Sequence, residues 1–398
     1  MSTVADARRR HPTARARPAA AAGSRLFVAL AFLVAVLNLL GLVMVMSASS
    51  VVALDVYGSS WYFVGRQAAW AAAGTVVLVV VARADYHRWR RLGGPLVWVS
   101  LALLALVLVI GNGANGATRW LGAGPLSFQP SELAKLALLL WVADLLSRRA
   151  AYMHNPRATL RPVILALAAV ATLVMLQPNL GTTIVVAAIA LTLCFVGGAP
   201  LGPLVRWSAF GIGAATALAL AAPYRRARIL AFLDPWADPM DKGYQNIQSL
   251  VGLAEGGVAG KGLGAGTAKW GFLPYAHSDF IFAVIGEELG LVGAVAVVGL
   301  FVLLGVLGIR VALHAPDRFG LLLAAGVTAW FCMQAFVNIG VVIGILPVTG
   351  VPLPFVSAGG TSLVVGMAGA GLLLAVARQA TDRPLAPRAP GVPAGRRR

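Results

Sequence analysis

The stretch from Pro162 to Val205 reads PVILALAAVATLVMLQPNLGTTIVVAAIALTLCFVGGAPLGPLV and contains no Asp, Glu, Lys or Arg. Its 44 residues are about twice the ~20 apolar residues that cross a bilayer as one helix. The run Gln177-Pro178-Asn179-Leu180-Gly181 interrupts it near the middle, and Pro and Gly together mark a turn. The stretch therefore predicts two membrane-spanning helices that meet at this turn.

The rest of the 398-residue chain has the same apolar character. Hydrophobic residues make up 59% of it and charged residues 12%, whereas ordinary soluble domains have about 45–50% and about 25%. The mean hydropathy is +0.83. A water-soluble core cannot hide that much apolar surface, so the composition excludes a soluble protein and predicts an all-α integral membrane protein.

Uncharged or nearly uncharged stretches recur along the chain, and together they predict about ten transmembrane helices. The stretch from Phe319 to Ala377 is double, because the Pro- and Gly-rich run from Pro347 to Gly360 breaks it. One further span, Leu133 to Ser147, is apolar apart from Lys135 and Asp144. The remaining spans are Leu26 to Leu54, Gln67 to Ala82, Leu92 to Thr118, Trp207 to Tyr224 and Leu289 to Ile309.

These spans divide the chain into three predicted parts. Residues 26–378 form a polytopic membrane domain, within which residues 223–281 form one large extracytoplasmic loop between the seventh and eighth spans. Residues 1–25 and 379–398 are rich in Ala, Pro and Arg and are predicted to be disordered basic tails in the cytoplasm.

The distribution of the 32 Lys and Arg residues orients the helices. Basic loops stay on the cytoplasmic side, and with both termini in the cytoplasm 23 of the 32 basic residues lie there. The membrane therefore explains the net charge of +18, and nucleic-acid binding is not expected. Cys194 and Cys332 both lie in apolar stretches, so we expect neither a disulfide framework nor a zinc site.

Polar residues on the predicted outer side are the candidates for chemistry, because charges within a membrane persist where they have a partner or a task. Glu132 and Lys135 are three residues apart and share one helix face. They either neutralise each other as a structural ion pair or line an outward cavity and order an anionic lipid headgroup. In the predicted flexible loop from Gly111 to Leu121, Arg119 stands beside Trp120, and both interfacial anchoring and phosphate binding remain open.

The large outer loop is the predicted site of chemistry. Its Gly-rich run, Gly257 to Gly266, is not a nucleotide-binding loop, because no strand precedes it and it faces outward. Asp279 stands where the loop meets the eighth span, as either a general base or, with Ser278, a helix cap. Of the five histidines, His277 alone is predicted to lie outside, and no His cluster has metal-ligand spacing.

Four of these motifs, in this order, resemble those of the SEDS family of bacterial peptidoglycan glycosyltransferases, the FtsW, RodA and SpoVE group. The resemblance covers roughly residues 27–378 and is greater to the FtsW branch, mainly because of the long block from Asp234 to Asp279. The motifs that carry it are Ala117-Thr118-Arg119-Trp120-Leu121 with Phe128 to Lys135, Leu233 to Pro239, His277 to Phe282 with Gly286 to Gly290, and Pro347 to Ser362.

The resemblance implies a multi-pass protein of the bacterial cytoplasmic membrane, at the division septum, that polymerises lipid II on the outer face. Its implied partners are a class B penicillin-binding protein, other divisome proteins and membrane lipids. No cofactor is firmly implied, and a divalent cation, Mg²⁺ or Mn²⁺, is a candidate without assigned metal ligands. The implied catalytic residue is Asp279, and the implied substrate-binding residues are Arg119, Gln129, Glu132, Lys135, Lys269, His277 and Ser357.

Two positions depart from the family pattern. Asn179 stands where many members have Asp, which argues against an acid role there, and Ala358 replaces a frequent Tyr in a motif whose Gly359 and Gly360 remain.

We expect Asp279 to accept the proton of the acceptor sugar's 4-hydroxyl as that oxygen attacks the anomeric carbon of the lipid-linked donor, with inversion. The candidate cations for the leaving pyrophosphate are Arg119, Lys135 and Lys269. The alternatives are a RodA-type elongation polymerase, a lipid II flippase and a non-catalytic scaffold that recruits division proteins through its tails. A flippase needs coupling residues deep in the membrane, where Asp144 is the clear acid of the inner half.

Overall fold

The computed structural model describes residues 20–114, 117–122, 127–221 and 223–381. Residues 1–19 and 382–398, which hold most of the two predicted tails, lie outside the described residues. The first helix begins at Ala20, six residues before the predicted first span. The described residues are mostly helical, so the all-α fold class is confirmed.

The elements follow one another along the chain as α1 Ala20–Tyr57, α2 Tyr62–Arg83, α3 Tyr86–Arg90, α4 Gly93–Ile110, β1 Asn112–Ala114, β2 Ala117–Trp120, α5 Pro130–Arg148, α6 Pro156–Leu176, α7 Leu180–Val196, α8 Leu201–Ala221, α9 Pro223–Leu233, α10 Tyr244–Gly256, α11 Ile281–Leu313, α12 Arg318–Val342 and α13 Gly360–Arg378. Short 3₁₀ turns add Ala150–Tyr152, Pro235–Ala237 and Ala268–Trp270.

Each predicted span overlaps one of these helices, although the helix within the span predicted from Leu92 to Thr118 ends at Ile110. Within the described residues, seven helices are long and apolar enough to cross a membrane, namely α1, α2, α4, α6, α11, α12 and α13. The other three predicted spans correspond to α5, α7 and α8. Helix α7 is apolar but shorter, and α5 contains Glu132, Lys135 and Asp144. The multi-pass membrane protein is confirmed, while the count of ten spans and the placement of the outer loop stay predictions.

The turn predicted at the centre of the stretch from Pro162 to Val205 is present in the structure. Helix α6 ends at Leu176 and α7 begins at Leu180. Asn179 caps α7, because its Oδ1 accepts a hydrogen bond from the Thr182 N–H at 3.2 Å. Asp and Asn are both strong helix caps, so the replacement of the family's frequent Asp keeps this structural role.

Helices α5, α12 and α13 form the centre of the bundle. In α12 and α13 most residues are buried, whereas α1, α2, α4 and α11 expose broad apolar faces. Such faces are suited to lipid. The polar side chains of α5 and α12 therefore meet inside the protein and not on the apolar faces that are suited to lipid.

The predicted flexible loop after α4 is instead a short antiparallel hairpin over its described residues. Strands β1 and β2 pair Asn112 with Trp120 and Gly113 with Thr118, and a bridge between Leu121 and Phe128 continues toward α5. The hairpin holds Arg119 on a defined strand.

Helix α11 is broken at Gly290, whose φ of 66° and ψ of −165° are not helical. The Gly-rich run enters the break: the N–H groups of Lys261 and Gly262 donate to the carbonyls of Glu287 and Glu288 at 3.0 and 2.9 Å. In return the Leu291 N–H donates to the Gly257 carbonyl at 2.9 Å. Backbone groups freed inside a membrane protein must find such partners.

Close approach to the break requires glycine at position 260. A Cβ on Gly260 would lie 2.2 Å from the Glu288 carbonyl oxygen, and its φ is +80°. The Gly-rich run is therefore a structural insert in α11, which agrees with the rejection of a nucleotide-binding loop.

On the predicted cytoplasmic side, His87 links the α2–α4 connection to the start of α12. Its ring nitrogens lie 2.8 Å from Asp85 Oδ1 and 2.9 Å from Asp317 Oδ2. The Tyr86 hydroxyl also donates to Asp317, at 2.9 Å. Burial lowers the pKa of His87, but its hydrogen bonds to the two carboxylates outweigh this and raise the pKa above its ordinary value.

Candidate active site

Two of the predicted site residues, Asp279 and Arg119, meet beside Gly350 in the loop between α12 and α13. Gly350 has a φ of +70°, and a Cβ placed on it would lie 3.4 Å from Asp279 Oδ2 and 3.7 Å from Arg119 Nη1. A carboxylate and a guanidinium thus face one point. This pairs a group able to accept a proton with one able to stabilise an anion.

The turn between α6 and α7 holds the Arg119 guanidinium. Its Nε–H donates to the Gln177 carbonyl at 3.0 Å, and Nη2 donates to the Pro178 carbonyl. Arg119 reaches this turn from strand β2. The α6–α7 turn and strand β2 together therefore fix the position of the Arg119 guanidinium.

Backbone hydrogen bonds hold the segment that contains Asp279. The carbonyls of His277, Ser278 and Asp279 accept in turn from the Ala358 N–H at 2.9 Å, the Ser357 hydroxyl at 2.6 Å and the Asn338 side-chain amide at 2.8 Å. Every carbonyl in this three-residue run is thus tied to α12 or to the loop after it.

Helix α11 begins at Ile281, and its N-cap residue is Phe280, whose side chain does not cap it. Neither Ser278 nor Asp279 therefore occupies the N-cap position, which argues against the alternative in which one of them caps the eighth span.

Ser357 and His277, both predicted to bind substrate, pack around this segment. Ser357 is buried, and its hydroxyl both donates to Ser278 and accepts from the Leu353 N–H at 2.8 Å. The His277 ring lies 4.8 Å from the ring of Phe63. Burial lowers the pKa of His277, so the ring is neutral at physiological pH. These contacts support the Asp279 segment.

Glu132 and Lys135 form the predicted ion pair, with 2.9 Å between Glu132 Oε2 and Lys135 Nζ. Both side chains are at most 2% exposed, so in this conformation they do not line an open cavity. Lys135 Nζ also donates to Gln334 Oε1 at 2.8 Å and lies 5.2 Å from the ring centre of Trp330. These contacts favour a structural ion pair over a pair that lines an outward cavity and orders a lipid headgroup.

Gln129 occupies the N-cap position of α5 and is half-buried. Its backbone N–H donates to Thr361 Oγ1 at 3.3 Å, and Thr361 in turn donates to the Ser127 carbonyl. Gln129 therefore lies where the start of α5 meets the start of α13.

Lys269 belongs to a different cluster from Asp279 and Arg119. It is 7% exposed, its ammonium donates to the Gly264 carbonyl, and it lies 4.0 Å from Glu288 Oε1. Glu288 also accepts from the Ser47 hydroxyl at 2.6 Å. These contacts tie Lys269 to the Gly-rich run and to α11, and its predicted role in substrate binding stays a prediction.

Several buried polar residues around the site did not stand out in the amino-acid sequence. Gln334 and Asn338 lie one helical turn apart on α12 and are 2% and 1% exposed. Gln67 of α2 donates to the Ser357 carbonyl and accepts from the Gly359 N–H, both at 3.3 Å. The available signal was an amide inside an apolar span, because uncharged polar groups there also need partners.

Asp144, the acidic residue considered for the lipid II flippase alternative, forms ion pairs at the predicted cytoplasmic end of α5. It forms ion pairs with Arg90 and, at 2.8 Å, with Arg148. Among the residues that the structure describes, no group of three or more His, Cys, Asp or Glu side chains is arranged to hold a metal ion.

A family model described as a cell cycle protein, that of FtsW, RodA and SpoVE, matches residues 28–382. The chain belongs to the FtsW/RodA/SpoVE family. The probable peptidoglycan glycosyltransferase FtsW of Geobacter metallireducens is 39% identical over 350 residues, which cover 87% of this chain and 93% of that protein.

Solved structures extend the match to the fold of this FtsW/RodA/SpoVE protein. One chain comes from a peptidoglycan synthase complex that coordinates polymerization and crosslinking; it has a TM-score of 0.73 and 37% identity, covering 88% of this chain and 97% of that one. The rod shape determining protein RodA of Thermus thermophilus has a TM-score of 0.65 and 33% identity, covering 88% and 96%.

Proposed function

We propose that this chain is a peptidoglycan glycosyltransferase that polymerises lipid II at the outer face of the bacterial cytoplasmic membrane, with Asp279 as its general base. The observation that carries the proposal is the meeting of Asp279 and Arg119 at Gly350. Relatives that bear this activity in their names match most of the chain, and the geometry supplies the base and the cation that the reaction needs.

In the proposed reaction, the acceptor sugar's 4-hydroxyl attacks the anomeric carbon of the donor, which is linked to lipid through pyrophosphate. A sugar hydroxyl is too weak an acid to ionise first, so Asp279 takes its proton as the new bond forms, a contribution of about 10²–10⁴-fold. One displacement inverts the anomeric configuration.

The pyrophosphate leaves with growing negative charge, which Arg119 is placed to stabilise. A divalent cation carried by the pyrophosphate would share this task, and we assign none of this chain's residues to it. We keep Gln129 and His277 as candidate substrate contacts, because Gln129 lies at the start of α5 and His277 is two residues from Asp279. The buried contacts of Glu132, Lys135, Lys269 and Ser357 support an indirect role for these residues.

The chain acts with a class B penicillin-binding protein and other divisome proteins at the division septum, as a member of the FtsW branch. The match to a chain of a peptidoglycan synthase complex supports a polymerase that works with a crosslinking partner. Relatives named FtsW, at 39% and 42% identity, support the division branch.

The direct test is Asp279→Asn in the full chain, reconstituted with its penicillin-binding partner and supplied with lipid II. We expect polymerisation to fall by at least about 10²-fold, because the amide cannot accept the proton. Asp241→Asn, an exposed carboxyl in the same predicted loop, serves as the matched control and keeps wild-type activity. Retained polymerisation by the Asp279 variant, or lipid II flipping by the wild type without any polymerisation, overturns the proposal.

A further inference from the structure

One face of α12 carries three polar or aromatic side chains at successive turns, Trp330, Gln334 and Asn338. Trp330 Nε1–H donates to Gln334 Oε1 at 2.8 Å, and Gln334 Nε2 donates to the Pro352 carbonyl at 2.9 Å. Gln334 also accepts from Lys135. This face therefore connects the Glu132–Lys135 ion pair to the loop that contains Gly350.

Asn338 extends this connection to Asp279. Its Nδ2 donates to the Asp279 carbonyl and to the Val351 carbonyl, both at 2.8 Å. An amide nitrogen carries two hydrogens, so both are used. Val351 follows Gly350, and Asp279 carries the carboxylate that faces Gly350. A single side chain thus holds the backbone of Asp279 and the residue that follows Gly350, the two segments that come together in the candidate active site.

We propose that Asn338 is a positioning residue for the glycosyl transfer, which sets the distance between the Asp279 carboxylate and the Gly350 turn toward which Arg119 points. The inference rests on the proposed function and deepens it. Asn338 acts through the two carbonyls and does not touch the sugars, so it governs the rate of the chemical step and not the binding of lipid II.

No other common side chain satisfies both carbonyls from this place. Leu resembles Asn in size and donates nothing, so the buried Val351 carbonyl and the Asp279 carbonyl lose this partner. Ionised Asp turns oxygen toward oxygen and repels both carbonyls, whereas protonated Asp donates one hydrogen bond. Asn338→Leu therefore removes the link, and Asn338→Asp makes it depend on pH.

The experiment measures kcat and KM for lipid II with the full chain and its penicillin-binding partner, for the wild type and both Asn338 variants. A displacement of about 1 Å costs on the order of 10²-fold in rate, so we expect kcat of Asn338→Leu to fall about 10- to 100-fold while KM stays within about twofold. The kcat of Asn338→Asp, relative to the wild type, rises as the pH is lowered.

Thr328→Val is the matched control, because Thr328 is a buried polar residue of the same helix that donates to the Ala324 carbonyl at 2.7 Å and touches neither segment of the site. It keeps the kcat and KM of the wild type. Wild-type kcat in Asn338→Leu overturns the inference, and so does a loss of activity in Asn338→Asp that is the same at every pH.

Asp279→Asn separates this inference from the proposed function. If that variant is inactive while Asn338→Leu keeps its kcat, the positioning role fails and the proposed base stands. If Asp279→Asn polymerises lipid II normally, the proposed base fails, and the positioning role fails with it.

Discussion

Replacing Gly350 by Ala adds one methyl group at the point where Asp279 and Arg119 meet. The φ of Gly350 is +70°, a conformation that costs an L-residue about 1–2 kcal/mol. The new Cβ would lie 3.4 Å from Asp279 Oδ2 and 3.7 Å from Arg119 Nη1. Both are ordinary van der Waals contacts, so no clash adds to the backbone cost, and we expect the variant to fold with a loss of about 1–2 kcal/mol.

The expected loss of activity is much larger than this loss of stability. The methyl group occupies space beside Asp279 and Arg119, where the proposed reaction brings the acceptor hydroxyl and the pyrophosphate together. A displacement of about 1 Å of the reacting substrate groups costs on the order of 10²-fold in rate. We therefore expect the kcat/KM of Gly350→Ala for lipid II to fall on the order of 10²-fold.

Gly344→Ala is a matched control for the backbone cost. Gly344 has a φ of +74°, and a Cβ there would touch the Leu250 side chain alone, at 3.7 and 3.8 Å. Both variants are reconstituted with the penicillin-binding partner, their glycan products are measured on gels, and their unfolding is followed by thermal shift. Equal activity in the two variants at equal stability would refute the assignment of Gly350 to the active site.

Two further predictions concern charged groups away from Asp279. Lys135→Met leaves the buried Glu132 carboxylate without its ammonium partner and should destabilise the protein by about 3–5 kcal/mol; adding Glu132→Gln should recover most of this in thermal unfolding, and no recovery would argue against a structural ion pair. His87 has a raised pKa in the folded protein, so the stability that it gains from Asp85 and Asp317 is full below its ordinary pKa of about 6.5 and is lost as the pH rises through the raised value. As the pH rises from about 6.5 through the raised pKa, the melting temperature should fall in the wild type and not in His87→Phe. Parallel plots of melting temperature against pH for the two proteins would contradict this explanation.

The sequence predicted the helices well because the length of an uncharged stretch is a physical constraint imposed by the bilayer. The turn at Gln177 to Gly181 formed where Pro and Gly interrupt such a stretch. The break at Gly290 was not predicted, because a single Gly in an apolar helix has no distinctive composition and its partner, the Gly-rich run, lies about thirty residues earlier in the chain.

The candidate site was predictable in its charges and not in its contacts. Arg119 stood out because positive charge is sparse on the predicted outer side, and Asp279 stood out because it lies where the outer loop meets the eighth span; the structure brings the two together. Asn338 did not stand out, because an amide in a span has many available partners and its spacing does not reveal which carbonyls it meets. Lys269 was a candidate cation for the pyrophosphate, and its spacing did not reveal that its ammonium lies 4.0 Å from Glu288 Oε1 on α11.

The break in α11 couples the Gly-rich run to the segment that contains Asp279. The part of α11 before Gly290 is short: Asp279 lies just before its first residue, and the run Gly257 to Gly262 is hydrogen-bonded at its other end. We therefore expect a partner that binds the run and displaces it to shift this part of α11, and with it the Asp279 carboxylate. In the proposed function, this would link binding of the partner to the geometry of the candidate active site.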